Sequence, residues 1–252
     1  MGRQYAIVGL GSFGVSVLEK LSEATDQIII VDKDKAIVEK YKDLASKSYI
    51  ADALSKQALI RIIPEAIDVA IVDVGDHIEA AVIVTNALKK LGARQIIVRA
   101  DNEERGEILE MVGATRIIYP AREAAVKLVP MLVSSSLFSF MPISPSLVLA
   151  EIRVPDQYVG KTLIEANFRQ TKGINVVAIR KEDGDEYEYF DPKYRLLEID
   201  VLLCAGTEKA VTAFTGARIT ARTNVVGEMM RGIFGKPVKR ETAEPIQILE
   251  EK

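Results

Sequence analysis

Cysteine and histidine are nearly absent: among 252 residues there is one of each. With Cys204 alone, no intrachain disulfide and no cysteine-based metal cluster can form. It lies in the apolar run Val201-Leu202-Leu203-Cys204-Ala205, where a small buried hydrophobe is expected rather than a reactive thiol. With His77 alone, a multi-histidine metal centre is excluded, and His77 opens a helical pattern where a solvent-facing or ligand-edge residue is expected. A basic excess is also missing. The formal net charge of −3 argues against a nucleic-acid binder, which carries a basic surface.

Two further absences concern motifs. No Walker sequence with a terminal Lys-Ser/Thr is found, so P-loop hydrolysis has no support. The second half of the chain has no histidine and no evident acid/base pairing, so no catalytic residue and no metal site are expected. The Met1-Gly2-Arg3-Gln4 opening runs straight into a strand pattern without a signal-peptide signature. Residues 128–150 carry no charge, which is long enough to raise the question of a membrane span. Pro130, Pro142, Pro145 and six serines interrupt that stretch. It reads instead as a helix ending in a Pro/Ser linker, with an apolar face covered in a dimer.

What is present is a regular alternation. Strand patterns at Tyr5–Val8, Gln27–Val31, Ser48–Ile50, Val69–Val72, Gln95–Val98 and Arg116–Ile118 are separated by helical patterns. Those helices are expected at Gly14–Leu21, Ala36–Asp43, Ser55–Ile62, Ile78–Leu91 and Glu103–Val112. Strand–helix alternation at this spacing calls for right-handed crossovers, hence an α/β, Rossmann-type doubly wound parallel sheet. The pattern changes near residue 140. Met141 to Ser146 reads as a linker, and a small α+β module follows. Its strands are expected at Leu147–Val154, Asn175–Arg180, Tyr187–Phe190 and Asp200–Cys204, its helix at Leu163–Phe168, and a hairpin turn at Glu182–Asp185. The organisation is therefore residues 1–140, residues 141–217, and an extension at 218–252 that is either a docking segment or a tail.

Gly9-Leu10-Gly11-Ser12-Phe13-Gly14 follows the first strand and opens the first helix. A GxGxxG match gains weight from that context and from Asp32, which ends the second strand. Gly9 permits the tight turn, Gly11 lets backbone approach a phosphate, and Gly14 lets helix and sheet pack closely. The N–H groups at Ser12 and Phe13 then face the phosphate with the helix dipole behind them. Asp32, with Lys33 beside it, is placed for the ribose hydroxyls. Ligands of open parallel sheets sit at the carboxyl ends of strands, so Asp52 and Ala53, then Asp73, Val74, Gly75 and Asp76, are further candidates. Arg99 ends the fifth strand and is either a phosphate contact or a surface arginine. The whole describes a site that binds a nucleotide without transforming it.

Several segments carry a resemblance. Tyr5–Gly14, Ala51-Asp52-Ala53, Ile97-Val98-Arg99-Ala100 and Val112 to Pro120 resemble the RCK (regulator of potassium conductance) domain. Gly160-Lys161-Thr162-Leu163, Phe168-Arg169, Gly173-Ile174-Asn175-Val176 and Asp200-Val201-Leu202 look like the C-terminal RCK module. The resemblance, closest to Trk/Ktr potassium-uptake regulatory subunits, implies a cytoplasmic homo-oligomer, dimers assembling into an octameric ring. Its implied partner is a potassium-translocating membrane subunit, on whose inner face the ring sits, gated by an adenine nucleotide. ADP or ATP is favoured, while AMP or NAD(H) would use the same frame. The uncharged helix before residue 141 would be the crossover helix pairing subunits. Members that respond to ATP often have arginine where this chain has Ser12, and glutamate where it has Ala121, which puts ATP-with-metal gating in question; Arg122 and Glu123 are the nearest substitutes. Arg169, Ile174 and Asn175 fall where some relatives bind cyclic di-AMP at a dimer interface. Other readings are an NAD-dependent oxidoreductase or redox sensor, and a regulator of a different cation transporter.

Overall fold

The computed structural model describes residues 2–191 and 193–215. Contacts divide the chain into two units at Val126/Lys127. The first unit begins with β1 (Tyr5–Val8), α1 (Ser12–Ser22), β2 (Ile28–Asp32), α2 (Lys35–Tyr41), β3 (Lys47–Ile50) and α3 (Lys56–Ile62). It continues with β4 (Val69–Val72), α4 (Ile78–Lys90), β5 (Gln95–Arg99), α5 (Glu103–Val112) and β6 (Arg116–Ile118). Helix α6 (Pro120–Val133) runs across the division.

All six strands are parallel, in the order β3-β2-β1-β4-β5-β6. The central strands are Val/Ile/Ala runs because both faces are covered. On one face Ala6, Val8, Val31, Ala70, Val72 and Val98 meet Leu59, Val84, Leu88 and Leu109 from the helices. On the other, Ile7, Ile28, Ile30 and Ile71 meet Leu18 of α1 and Val38 of α2. The strand order reverses between β1 and β4, whose register pairs Val8 with Val72. Side by side, the residues following them, Gly9 and Asp73, therefore open the crevice where such sheets take ligands.

The second unit contains β7 (Leu137–Ser144), β8 (Leu147–Arg153), α7 (Leu163–Ala166), α8 (Phe168–Lys172), β9 (Ile174–Lys181), β10 (Asp200–Gly206) and α9 (Glu208–Phe214). Its sheet is antiparallel, in the order β7-β8-β10-β9. Tyr158, Phe168 and Phe214 cluster on its core, Phe168 lying 4.7 Å from Tyr158 and 5.1 Å from Phe214 between ring centroids. Cys204 is fully buried, and burial pushes its thiol up to about 12, in keeping with a packing role. Asp200 is also fully buried. It accepts hydrogen bonds from Lys181 Nζ, the Tyr194 hydroxyl and the Leu197 N–H, which compensates its charge.

Three expectations need correction. The helix before residue 141 stops at Val133, and the supposed linker 141–146 belongs to a hairpin. Residues 137–144 form a strand despite Pro142, because β7 is the sheet edge, where a missing N–H costs no interior ladder bond. Pro145-Ser146 is the two-residue turn to β8. Likewise Tyr187–Phe190 does not make a strand: it meets β9 through one bridge, Ile179 with Glu188, and Tyr189 stays exposed. The extension at 218–252 lies outside the described residues.

Candidate nucleotide site

The loop after β1 is shaped by what lies beneath it. Gly9 has φ +89°, and a Cβ there would sit 2.0 Å from the Asp73 carbonyl oxygen. Only glycine fits. Gly14 packs against the same loop, its missing Cβ leaving room for the Gly9 carbonyl. Gly11 caps α1 without a side-chain hydrogen bond. The space its Cβ would fill holds the Asp73 carboxylate, at 2.4 Å from that position. Asp73 Oδ2 accepts the Gly14 N–H at 2.8 Å. Asp32 fastens the front of the loop, accepting the Leu10 N–H at 2.6 Å and the Asp34 N–H at 2.8 Å. The N–H groups of Gly11, Ser12 and Phe13 have no protein acceptor among the described residues, so they remain available to an anion.

A cavity of about 700 Å³ opens over this loop. Gly9, Gly11, Asp32, Lys33, Asp52, Ala53, Asp73, Val74 and Gly75 of the expected residues all line it, as does His77. Its apolar walls are Leu10, Val31, Ile37, Leu54 and Ile83, a surface suited to a flat base. From the sequence, none of those residues is proposed as a cavity wall. The available signal was Leu54 and Ile83, large apolar side chains left half-exposed beside strand ends.

Ser12, Phe13 and Arg99 line a second cavity instead, of about 550 Å³, with Tyr119, Pro120, Ala121 and Arg122. Thus the two positions that depart from the ATP-responsive pattern, Ser12 and Ala121, share one space. Arg122 carries an ion pair to Glu103. Burial, followed by the charges of Glu110 and Glu103, raises the Tyr119 phenol above its usual value, so it stays protonated in the neutral range. Arg99, on the second cavity, binds carboxylates of its own chain: Asp101 at 2.6 Å, Asp73 at 3.3 Å and Asp76 at 3.5 Å. Arg105 pairs with Asp101 at 3.1 Å.

In the second unit Arg169 and Asn175 are exposed, whereas Ile174 is fully buried in the core. The Ile174 side chain therefore serves packing, leaving only its backbone to a ligand. Among the described residues no helix is long and apolar enough to cross a membrane.

Residues 5–120 match the family model of the TrkA-N domain, and residues 149–216 that of the TrkA-C domain. The chain is 32% identical to Ktr system potassium uptake protein C of Bacillus subtilis (strain 168), over 72% of this chain and 82% of that one. To Ktr system potassium uptake protein A of the same organism it is 29% identical, over 84% and 95%. Among solved structures it is similar to the GsuK channel, with a TM-score of 0.61 at 17% identity, covering 86% of this chain and 39% of that chain.

Proposed function

The chain belongs to the family of TrkA-N and TrkA-C (RCK) domain proteins, and on that premise we propose that it is a nucleotide-sensing regulatory subunit of a potassium transport system. It binds an adenine nucleotide across the end of β1, without turnover, and sits on the inner face of the membrane against a potassium-translocating subunit. The observation that carries this reading is the complete nucleotide frame of Gly9, Gly11 and Asp32 around a cavity at the strand-order reversal, in a chain resembling Ktr proteins over most of their length.

The mechanism is a population shift. A ligand biases an assembly between two shapes only insofar as it binds them unequally. The frame supplies a route: Asp32 and Asp73 each hold the glycine loop by hydrogen bonds, so a ligand competing for those contacts alters the loop and α1 together. A homo-oligomer, dimers closing into an octameric ring, is part of the same proposal. It is supported by Leu128, Val129, Leu132 and Val133 of α6, all more than half exposed in the single chain, an apolar surface that association would cover.

The test is potassium flux in vesicles carrying a co-purified membrane subunit, with and without this chain and nucleotide. Flux that changes only when both are present is expected. Unaltered flux with stable nucleotide binding would favour another cation transporter as partner, and steady nicotinamide turnover would favour an oxidoreductase.

A further inference from the structure

The site contains an anion of its own. The Asp73 carboxylate is fully buried, occupies the place of a Gly11 Cβ and holds the Gly14 N–H at 2.8 Å. It thus sits at the positive end of α1, an 11-residue helix, where an incoming phosphate would otherwise gain most. Arg99 does not leave a surplus of positive charge there. Asp73, Asp76 and Asp101 share Arg99 and Arg105, three carboxylates to two guanidinium groups, so the cluster retains one negative charge. Among the described residues, Lys33 is the sole lysine or arginine lining the larger cavity, which it shares with Asp32, Asp52, Asp73, Asp76 and Glu79.

Resting on the adenine-nucleotide reading above, we propose that Asp73 is a specificity-determining residue that disfavours a terminal phosphate and selects a dinucleotide whose pyrophosphate is esterified at both ends. A terminal phosphate is a dianion near neutral pH, with its second pKa at about 6. Each phosphorus of a dinucleotide carries one charge and no dianionic terminus. The cavities suit such a molecule. Their linings adjoin at the loop, where Gly11 lines one and Ser12 the other. Adenosine occupies the larger space against Asp32, the pyrophosphate crosses the Gly11, Ser12 and Phe13 N–H groups, and the second nucleoside enters the space beside Phe13 and Tyr119. The short side chains of Ser12 and Ala121 leave that space open.

The experiment is equilibrium dialysis of the full chain with AMP, ADP, ATP and NAD⁺ in EDTA, repeated on Asp73→Asn. Asparagine keeps an acceptor for the Gly14 N–H while removing the charge and the oxygen that accepts from Arg99. In the native protein NAD⁺ binds at least about tenfold tighter than ATP, and affinity does not rise from AMP to ATP. In Asp73→Asn the ATP affinity rises by about tenfold with little change for NAD⁺. Tighter ATP than NAD⁺ binding in the native protein overturns the proposal, even if the variant does not fold. So does a NAD⁺ to ATP ratio unchanged by the substitution. Absence of binding by all four ligands overturns the nucleotide reading itself.

Discussion

The Asp32 carboxylate accepts the Leu10 N–H at 2.6 Å, so the residue we propose for the ribose also fastens the glycine loop. Asp32→Ala therefore removes two functions. Every adenosine ligand is expected to weaken by about 1–3 kcal/mol through lost hydrogen bonds to a charged acceptor. Calorimetry on the variant checks this; affinities equal to the native protein's would place the ribose elsewhere.

Arg99 is 3.3 Å from the buried Asp73 and 2.6 Å from Asp101. Arg99→Ala leaves Asp73 without its counter-charge, a change expected to cost about 3 kcal/mol of stability. Nucleotide affinity should fall in order of phosphate number, ATP most and AMP least, because repulsion from the uncompensated carboxylates grows with ligand charge. Chemical denaturation and a titration series measure both effects. Equal losses for AMP and ATP contradict the electrostatic role.

Leu132 on α6 is 73% exposed in the single chain. Leu132→Glu should leave monomer stability within about 0.5 kcal/mol while reducing the assembly mass seen by light scattering. An unchanged mass would show that α6 is not part of the subunit contact.

The second unit carries an acid-sensitive pair. Burial opposes ionisation of Glu151, but hydrogen bonds from Tyr187 and Arg180 outweigh it and hold the carboxyl below the usual glutamate value; the Arg180 contact is 2.7 Å. A depressed folded-state pKa contributes stability above the unfolded value, about pH 4.3, and that contribution is lost as pH falls through the folded value. Glu151→Gln should thus be less stable than the native protein at pH 7, with the two converging in acid. Parallel stability curves from pH 7 to pH 3 would contradict this pairing.

Much of the first unit could be read from local pattern. The bounds of β1 and β4 coincide with the sequence runs, because strands covered on both faces are apolar throughout and helices between them follow the 3.6-residue period. The glycine loop and Asp32 were legible for the same reason: their spacing is a local geometric requirement. Asp73 was legible as a strand-end candidate, but its place beneath the loop was not, because its contact with Gly14 spans 59 residues and depends on β1 and β4 lying side by side. The cavity's apolar wall, with Ile37 from α2 and Ile83 from α4, likewise exists only once the helices are placed. Residues 141–146 read as a linker because proline and serine signal one unless the strand they end is known to be an edge.

The central claim is that this chain binds an adenine nucleotide in the Gly9–Gly14 crevice and returns it unchanged. Calorimetric titration of the purified chain with ATP, ADP, AMP, NAD⁺ and NADH, with and without Mg²⁺, followed by chromatography of the recovered ligand, tests it directly. The account predicts one site per chain, abolished or weakened by Asp32→Ala, and a ligand recovered intact. No heat with any of the five, or steady conversion of the bound nucleotide, would contradict it.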